Sequence, residues 1–382
     1  MLIKKIFFMI LTAVFISVNA IAAEVTTEKT TKENVELTKT EAPKYRAYLL
    51  GDDKGNIYYA QNENEKVPMA SVTKIMTMML TYDAINEGKI KLTDKVVVDK
   101  TMAKMQGSRI WMKEGSKISV EDLMKATALH SANNAAYGLA KTVGRDIDTF
   151  VKMMNKKAKE LGFGNEIEYN TPTGLPTHMT GRGEDVGSAL GIYKLSLAAL
   201  KYPEYIELAS KKSDRLAYLG GEKIYNRNKL LGKNGIYGIK TGHHDEWFNI
   251  TVASDKKGVN TITVVLGAPT EEERNEKIME EIELFHSEYT LTEFLNRDIP
   301  VGEIEISNGT VKKVEIYPEI ECKEPAKEDS EVSFVLSKKS VLKAPVKAGE
   351  EAGKYKLYLD GRMIGEGKLI VKEDVEEMLL SL

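Results

Sequence analysis

A chain of 382 residues, 42% of them hydrophobic and 29% charged, can bury a full core and suggests two domains more than one. Its net charge of −3 repels a phosphate backbone and so excludes a nucleic-acid partner. The single cysteine, Cys322, excludes an intrachain disulfide and reads as a packed or surface thiol, not a nucleophile.

Met1-Leu2-Ile3-Lys4-Lys5 precedes an apolar run over residues 6–18 and then Ala20-Ile21-Ala22, the pattern of a secretory signal peptide. Cleavage after Ala22 is the preferred reading and an uncut anchor the alternative; both place the protein outside the cytoplasm, in the periplasm or at the outer face of the membrane and the cell wall. Residues 23–40 are Thr-rich, charged and free of aromatics, the composition of a flexible linker.

Residues 45–50 and 56–60 read as a hairpin turning at Asp53-Lys54-Gly55. Over 72–85, Val72, Ile75, Met76, Met79 and Leu80 recur at helical spacing, with Ser71 at the start and Gly88 just past the end. Further helices are predicted at 120–129, 134–143, 147–161 and 187–200, strands at 237–242, 248–254 and 260–267, and a long helix over 272–295. This order implies one α/β layered domain over 41–296. From 297 to 382 the chain turns to short strand-like runs, at 311–317, 331–336, 354–359 and 362–371, and reads as a small β-rich domain. No metal-ligand spacing is present and no cofactor is called for; His243 and His244, adjacent in what reads as a solvated loop, are no ligand pair.

Three strings carry the chemistry: Ser71-Val72-Thr73-Lys74, Ser131-Ala132-Asn133 and Lys240-Thr241-Gly242. Each is weak alone, since Ser-x-x-Lys recurs at Ser254 and Ser340, but only one ordered set has all three. A serine hydroxyl needs a base, and Lys74 lies one helical turn on. Lysine is a base only when neutral, and burial, a helix N-terminus and a second cation at Lys240 all lower its pKa. Ser131 can relay a proton, and the Asn133 amide can bond both Lys74 and a substrate amide. Lys240 and Thr241 would receive a carboxylate, while Gly242 would let a substrate backbone lie along the strand edge. The backbone N–H groups of Ser71 and His243 are placed to form an oxyanion hole.

On these strings the chain resembles the low-molecular-weight penicillin-binding proteins, the serine-type D-alanyl-D-alanine carboxypeptidases. Pro68-Met69-Ala70-Ser71, Gly107-Ser108-Arg109-Ile110-Trp111, Asn170-Thr171-Pro172-Thr173-Gly174-Leu175, Asn226-Arg227-Asn228 and Ala344-Pro345-Val346 fall where that family has similar runs. The resemblance implies an antiparallel sheet with helices on both faces, an all-helical subdomain and a C-terminal β domain. It implies Ser71 as nucleophile, Lys74 as base, Ser131 and Asn133 as relay and substrate contact, and Lys240, Thr241 and Arg274 around the substrate carboxylate. The implied reaction removes the terminal D-Ala of a peptidoglycan stem peptide through an acyl-serine, and β-lactams would block Ser71. The bulky, acidic His243-His244-Asp245-Glu246-Trp247-Phe248 departs from the small residues usual there. Two alternatives stand beside this reading. A class A β-lactamase would add a deacylating glutamate, with Glu166 or Glu168 in the nearest segment; a non-catalytic wall-binding scaffold would keep the fold without turnover.

Overall fold

The computed structural model describes residues 44–378; the expected signal segment and linker lie outside the described residues. Five antiparallel strands form the central sheet in the order Lys240–His244, Trp247–Lys256, Val259–Ala268, Ala47–Asp52, Ile57–Gln61. Successive side chains of a strand point to opposite faces, so neighbours in sequence join different cores. Leu49, Val264 and Leu266 pack with Ile192 and Leu195 of the helix Ala189–Ala199 on one face. Leu50, Val252 and Val265 pack with Ile278, Ile282 and Phe285 of the helix Glu271–Glu288 on the other.

The first of these cores continues into a helical layer made of Lys74–Asn86, Val120–Ala128, Asn133–Gly144 and Ile147–Glu160. Lys74–Asn86 is buried on nearly every side, which is why its apolar residues, Ile75, Met76, Met78, Met79 and Leu80, occupy more than one stripe. Side chains at the helix starts accept the otherwise orphaned N–H groups: Ser119 from Asp122, Asp146 from Thr149, Ser188 from Gly191 and Thr270 from Glu273.

Three expectations shift. Ser71 does not cap the first helix; it lies in a 3-10 turn, Ala70–Thr73, and the α-helix begins at Lys74. The strand expected over 237–242 starts at Lys240 and runs on through His243 and His244, so both histidines belong to a strand and not to a solvated loop. Just before it, Asn228 donates its side-chain amide to the Gly238 carbonyl at 3.1 Å, while the Tyr237 and Ile239 N–H groups still bond the Ala253 and Thr251 carbonyls of the neighbouring strand. The helix over 272–295 ends at Glu288, and Thr290–Leu295 is a strand paired with Cys322–Ala326. Thr290, Thr292 and Phe294 alternate with apolar or charged neighbours at period two, and that pairing wins over helical continuation.

The remaining β region is a six-stranded sheet in the order Val332–Lys338, Glu351–Leu359, Arg362–Val371, Lys313–Pro318, Gly302–Ser307, Val341–Lys343, with its own core around Ile304, Ile316, Tyr355, Leu357 and Leu369. Cys322 is a buried free thiol in that core. The region meets the first hairpin: Lys54 Nζ donates to Glu324 at 2.6 Å, and Arg362 to the Asn56 side chain at 2.6 Å.

Candidate active site

The 3-10 turn Ala70–Thr73 sits between the edge strand Lys240–His244 and the segment 170–185. Ala70 adopts φ 50°, a left-handed conformation that costs an L-residue about 1–3 kcal/mol and persists where its surroundings enforce it. Two glycines show the enforcement. A methyl at Gly174 would run into the Ala70 carbonyl, and one at Gly242 would stand 2.7 Å from the Met69 carbonyl oxygen. Gly242 therefore makes room on this face of the strand for the turn that carries Ser71.

Lys74 Nζ lies 2.7 Å from Ser71 Oγ, 2.8 Å from Asn133 Oδ1 and 2.6 Å from the Thr173 carbonyl oxygen. Its side chain is 0% exposed. Burial, then the charge of Lys240, holds the amine well below the ordinary lysine range, against a smaller opposing pull from Asp185. A neutral lysine has two N–H donors and one lone pair. Asn133 and Thr173 accept the two donors, and the lone pair is left for the Ser71 hydroxyl.

On the other side of the cleft Lys240 Nζ donates to Ser131 Oγ at 2.9 Å and to the Thr241 carbonyl at 3.0 Å. Burial, with Arg227 and Arg274 adding positive potential, lowers Lys240 to about 7. Ser131 has φ 60°. The loop before it is tied down by Ser108, whose hydroxyl donates to the His130 carbonyl at 2.8 Å and whose carbonyl accepts from Asn133 N–H at 2.7 Å.

Arg274 is no solvated helix-start residue: it is 2% exposed, bonds Glu271 and Asn275, and reaches the Asn249 carbonyl at 3.5 Å. The His243 ring is exposed, stacks on Phe248 with centroids 4.2 Å apart and reaches the Asp245 carbonyl. Its imidazole stays outside the Ser71–Lys74–Asn133 and Lys240–Ser131 contacts, which suits a residue called for its backbone alone. Glu166 bonds Lys194 at 2.6 Å, which lowers its pKa, and neither it nor Glu168 is a partner of Ser71 or Lys74.

Two contributors had no signal of their own type in the sequence. Thr173 acts through its carbonyl, which any residue could offer. Asp185, nearly fully buried and pushed up to about 6 by desolvation, accepts the Asn170 and Thr171 N–H groups at 2.6 and 2.8 Å and also the Thr171 hydroxyl. Those bonds hold the bend that presents Thr173.

Sheet, helical layer and β region together make the fold of the low-molecular-weight penicillin-binding proteins. The chain belongs to the D-alanyl-D-alanine carboxypeptidase family: the sequence model of that family matches residues 30–270, and that of the penicillin-binding protein 5 C-terminal domain matches 289–377. It is 32% identical to the D-alanyl-D-alanine carboxypeptidase DacF of Bacillus subtilis, over 87% of this chain and 85% of that protein. Penicillin-binding protein 5 of Haemophilus influenzae has a similar structure, with TM-score 0.66 and 25% identity over 87% of this chain and 98% of its own. Penicillin-binding protein D2 of Listeria monocytogenes, solved in an ampicillin-bound form, aligns with TM-score 0.57 and 26% identity over 63% of this chain and 97% of its own.

Proposed function

We propose that the protein is a serine-type carboxypeptidase that removes the terminal D-Ala of peptidoglycan stem peptides and that β-lactams acylate at Ser71. The observation that carries this reading is the buried Lys74 amine, with two acceptors on its N–H groups and the Ser71 hydroxyl at 2.7 Å. Lys74 takes the Ser71 proton as Oγ attacks the scissile carbonyl, and the Ser71 and His243 N–H groups receive the oxyanion. The C–N bond then breaks, and the leaving amine of D-Ala takes a proton relayed through Ser131. Water attacks the acyl-serine and frees Ser71. Lys240, Thr241 and the positive potential of Arg274 hold the substrate's terminal carboxylate. The amino-terminal Lys4-Lys5 and apolar run support work outside the cytoplasm, on the cell wall. Among the described residues no helix is long and apolar enough to cross a membrane.

The test is an intact-mass time course with excess benzylpenicillin beside Ser71→Ala. The expected result is a lasting one-to-one adduct absent from Ser71→Ala, followed by D-Ala release from a D-Ala-D-Ala peptide that Ser71→Ala does not support. Penicillin consumed without an adduct would turn the reading to a β-lactamase, and no adduct with penicillin left intact would sink it.

A further inference from the structure

Side chains two apart on a strand share a face. Along Lys240–His244 the three residues of one face each meet a different part of the opposite wall. Lys240 reaches Ser131, Gly242 abuts Met69 and Ala70, and His244 Nε2 lies 3.2 Å from Glu184 Oε2. The first two contacts belong to the site already described. The third joins the end of the strand to the segment that supplies Thr173.

Glu184 is well anchored there. Its other carboxylate oxygen accepts the Thr177 N–H at 2.7 Å, and its carbonyl accepts from the Asn170 side chain at 2.8 Å. The next residue, Asp185, holds Asn170 and Thr171, and its carbonyl accepts the Met69 N–H at 2.8 Å, two residues before the nucleophile. His244 is mostly buried, and beyond its ring Asp245 Oδ2 stands 4.0 Å from both His244 Nδ1 and His178 Nδ1. A continuous set of bonds thus runs from the strand end through Glu184 and Asn170 to the Thr171–Thr173 run that sits on Lys74.

We propose that His244 is a positioning residue: its bond to Glu184 latches the edge strand to the 170–185 segment and so keeps the Thr173 carbonyl on Lys74 while Ser71 is acylated. This rests on the reading of Ser71 and Lys74 as nucleophile and base. The latch spans the end of the cleft away from Lys240, so its loss loosens the base without touching the carboxylate site. The effect therefore falls on the chemical step more than on binding.

The experiment is a double-mutant cycle in the full chain with His244→Ala, Glu184→Ala and both together, plus His244→Gln, whose amide can still donate to Glu184. Benzylpenicillin acylation rate, kcat and KM for D-Ala release and the thermal midpoint are read for each. Each single alanine variant is expected to slow acylation about tenfold, the double variant no further, with KM within about twofold and His244→Gln restoring most of the rate. Single effects that multiply in the double variant would overturn the latch. So would wild-type acylation in all variants with only a lower midpoint, which would mark a brace with no catalytic consequence. Failure of the underlying reading would show in the wild type, as no adduct at all, and would overturn the latch with it.

Discussion

The edge strands Lys240–His244 and Val332–Lys338 face the same physical problem, a row of unpaired backbone groups at the end of a sheet, and meet it differently. In the first, Lys240, Thr241 and Gly242 are buried against the Ser71 turn and the helical layer, so the open edge is walled into a cleft. In the second, Val335 is 55% exposed, Val332 and Leu336 are exposed beside it, and Lys338 is the strand's one charge. An edge walled by Lys240 and by a turn that opens on left-handed Ala70 leaves little room for change. An edge with open apolar side chains is held by its inner face alone and tolerates change on its outer one. Perturbations should therefore count heavily at the first edge and lightly at the second.

The largest expected effect follows removal of the proposed base. Lys74→Ala should slow benzylpenicillin acylation on the order of 10⁴-fold while the fold is retained, measured by adduct formation beside circular dichroism. Gly174→Ala comes next: the methyl would displace the Ala70–Ser71 turn, and misplacement of a reacting group by about 1 Å costs on the order of 10²-fold in the same assay.

Lys240 gives a smaller, graded effect. It is charged below about 7 and neutral above, so kcat/KM for a carboxylate-bearing peptide should fall about tenfold per pH unit above that point. Lys240→Gln should have a low, flat profile there. The same residue leaves a mark on stability. Folded Lys240 loses its proton near 7, and the unfolded lysine holds its own to about 10.4, so the unfolded chain binds more protons between those values. Stability therefore rises with pH across that window, and Lys240→Met should flatten the rise in urea midpoints. The smallest effect belongs to the other edge. Val335→Lys should change stability by no more than about 0.5 kcal/mol and leave acylation unchanged; a large loss of either would break the contrast between the edges.

What the sequence revealed and what it hid divide along similar lines. Ser71, Lys74, Ser131, Asn133 and Lys240 were legible because their side-chain chemistry is specific and their order is informative. The layered α/β domain was legible because helical and strand periods alternate cleanly. Thr173 was not, since a carbonyl carries no residue type, and Asp185 was one acid among many until burial singled it out. Gly242 was recognised for its lack of a side chain, but the neighbour requiring that lack, Met69, is known only from tertiary packing. The helix over 272–295 was drawn too long because the pairing of Thr290–Leu295 with Cys322–Ala326 is a long-range contact that local pattern does not encode.

The order of strands in the central sheet has a mechanical consequence. Lys240–His244 forms one margin and Ile57–Gln61 the other, with three strands between them. The β region grips the hairpin at that second margin, through Lys54 to Glu324 and Asn56 to Arg362. Through these contacts a load on the β region enters the sheet at the side remote from Lys240; its other route is the covalent join at Tyr289 to the helix Glu271–Glu288. That helix carries Arg274, so it, and not the hairpin, is the short path from the β region to the Lys240 margin.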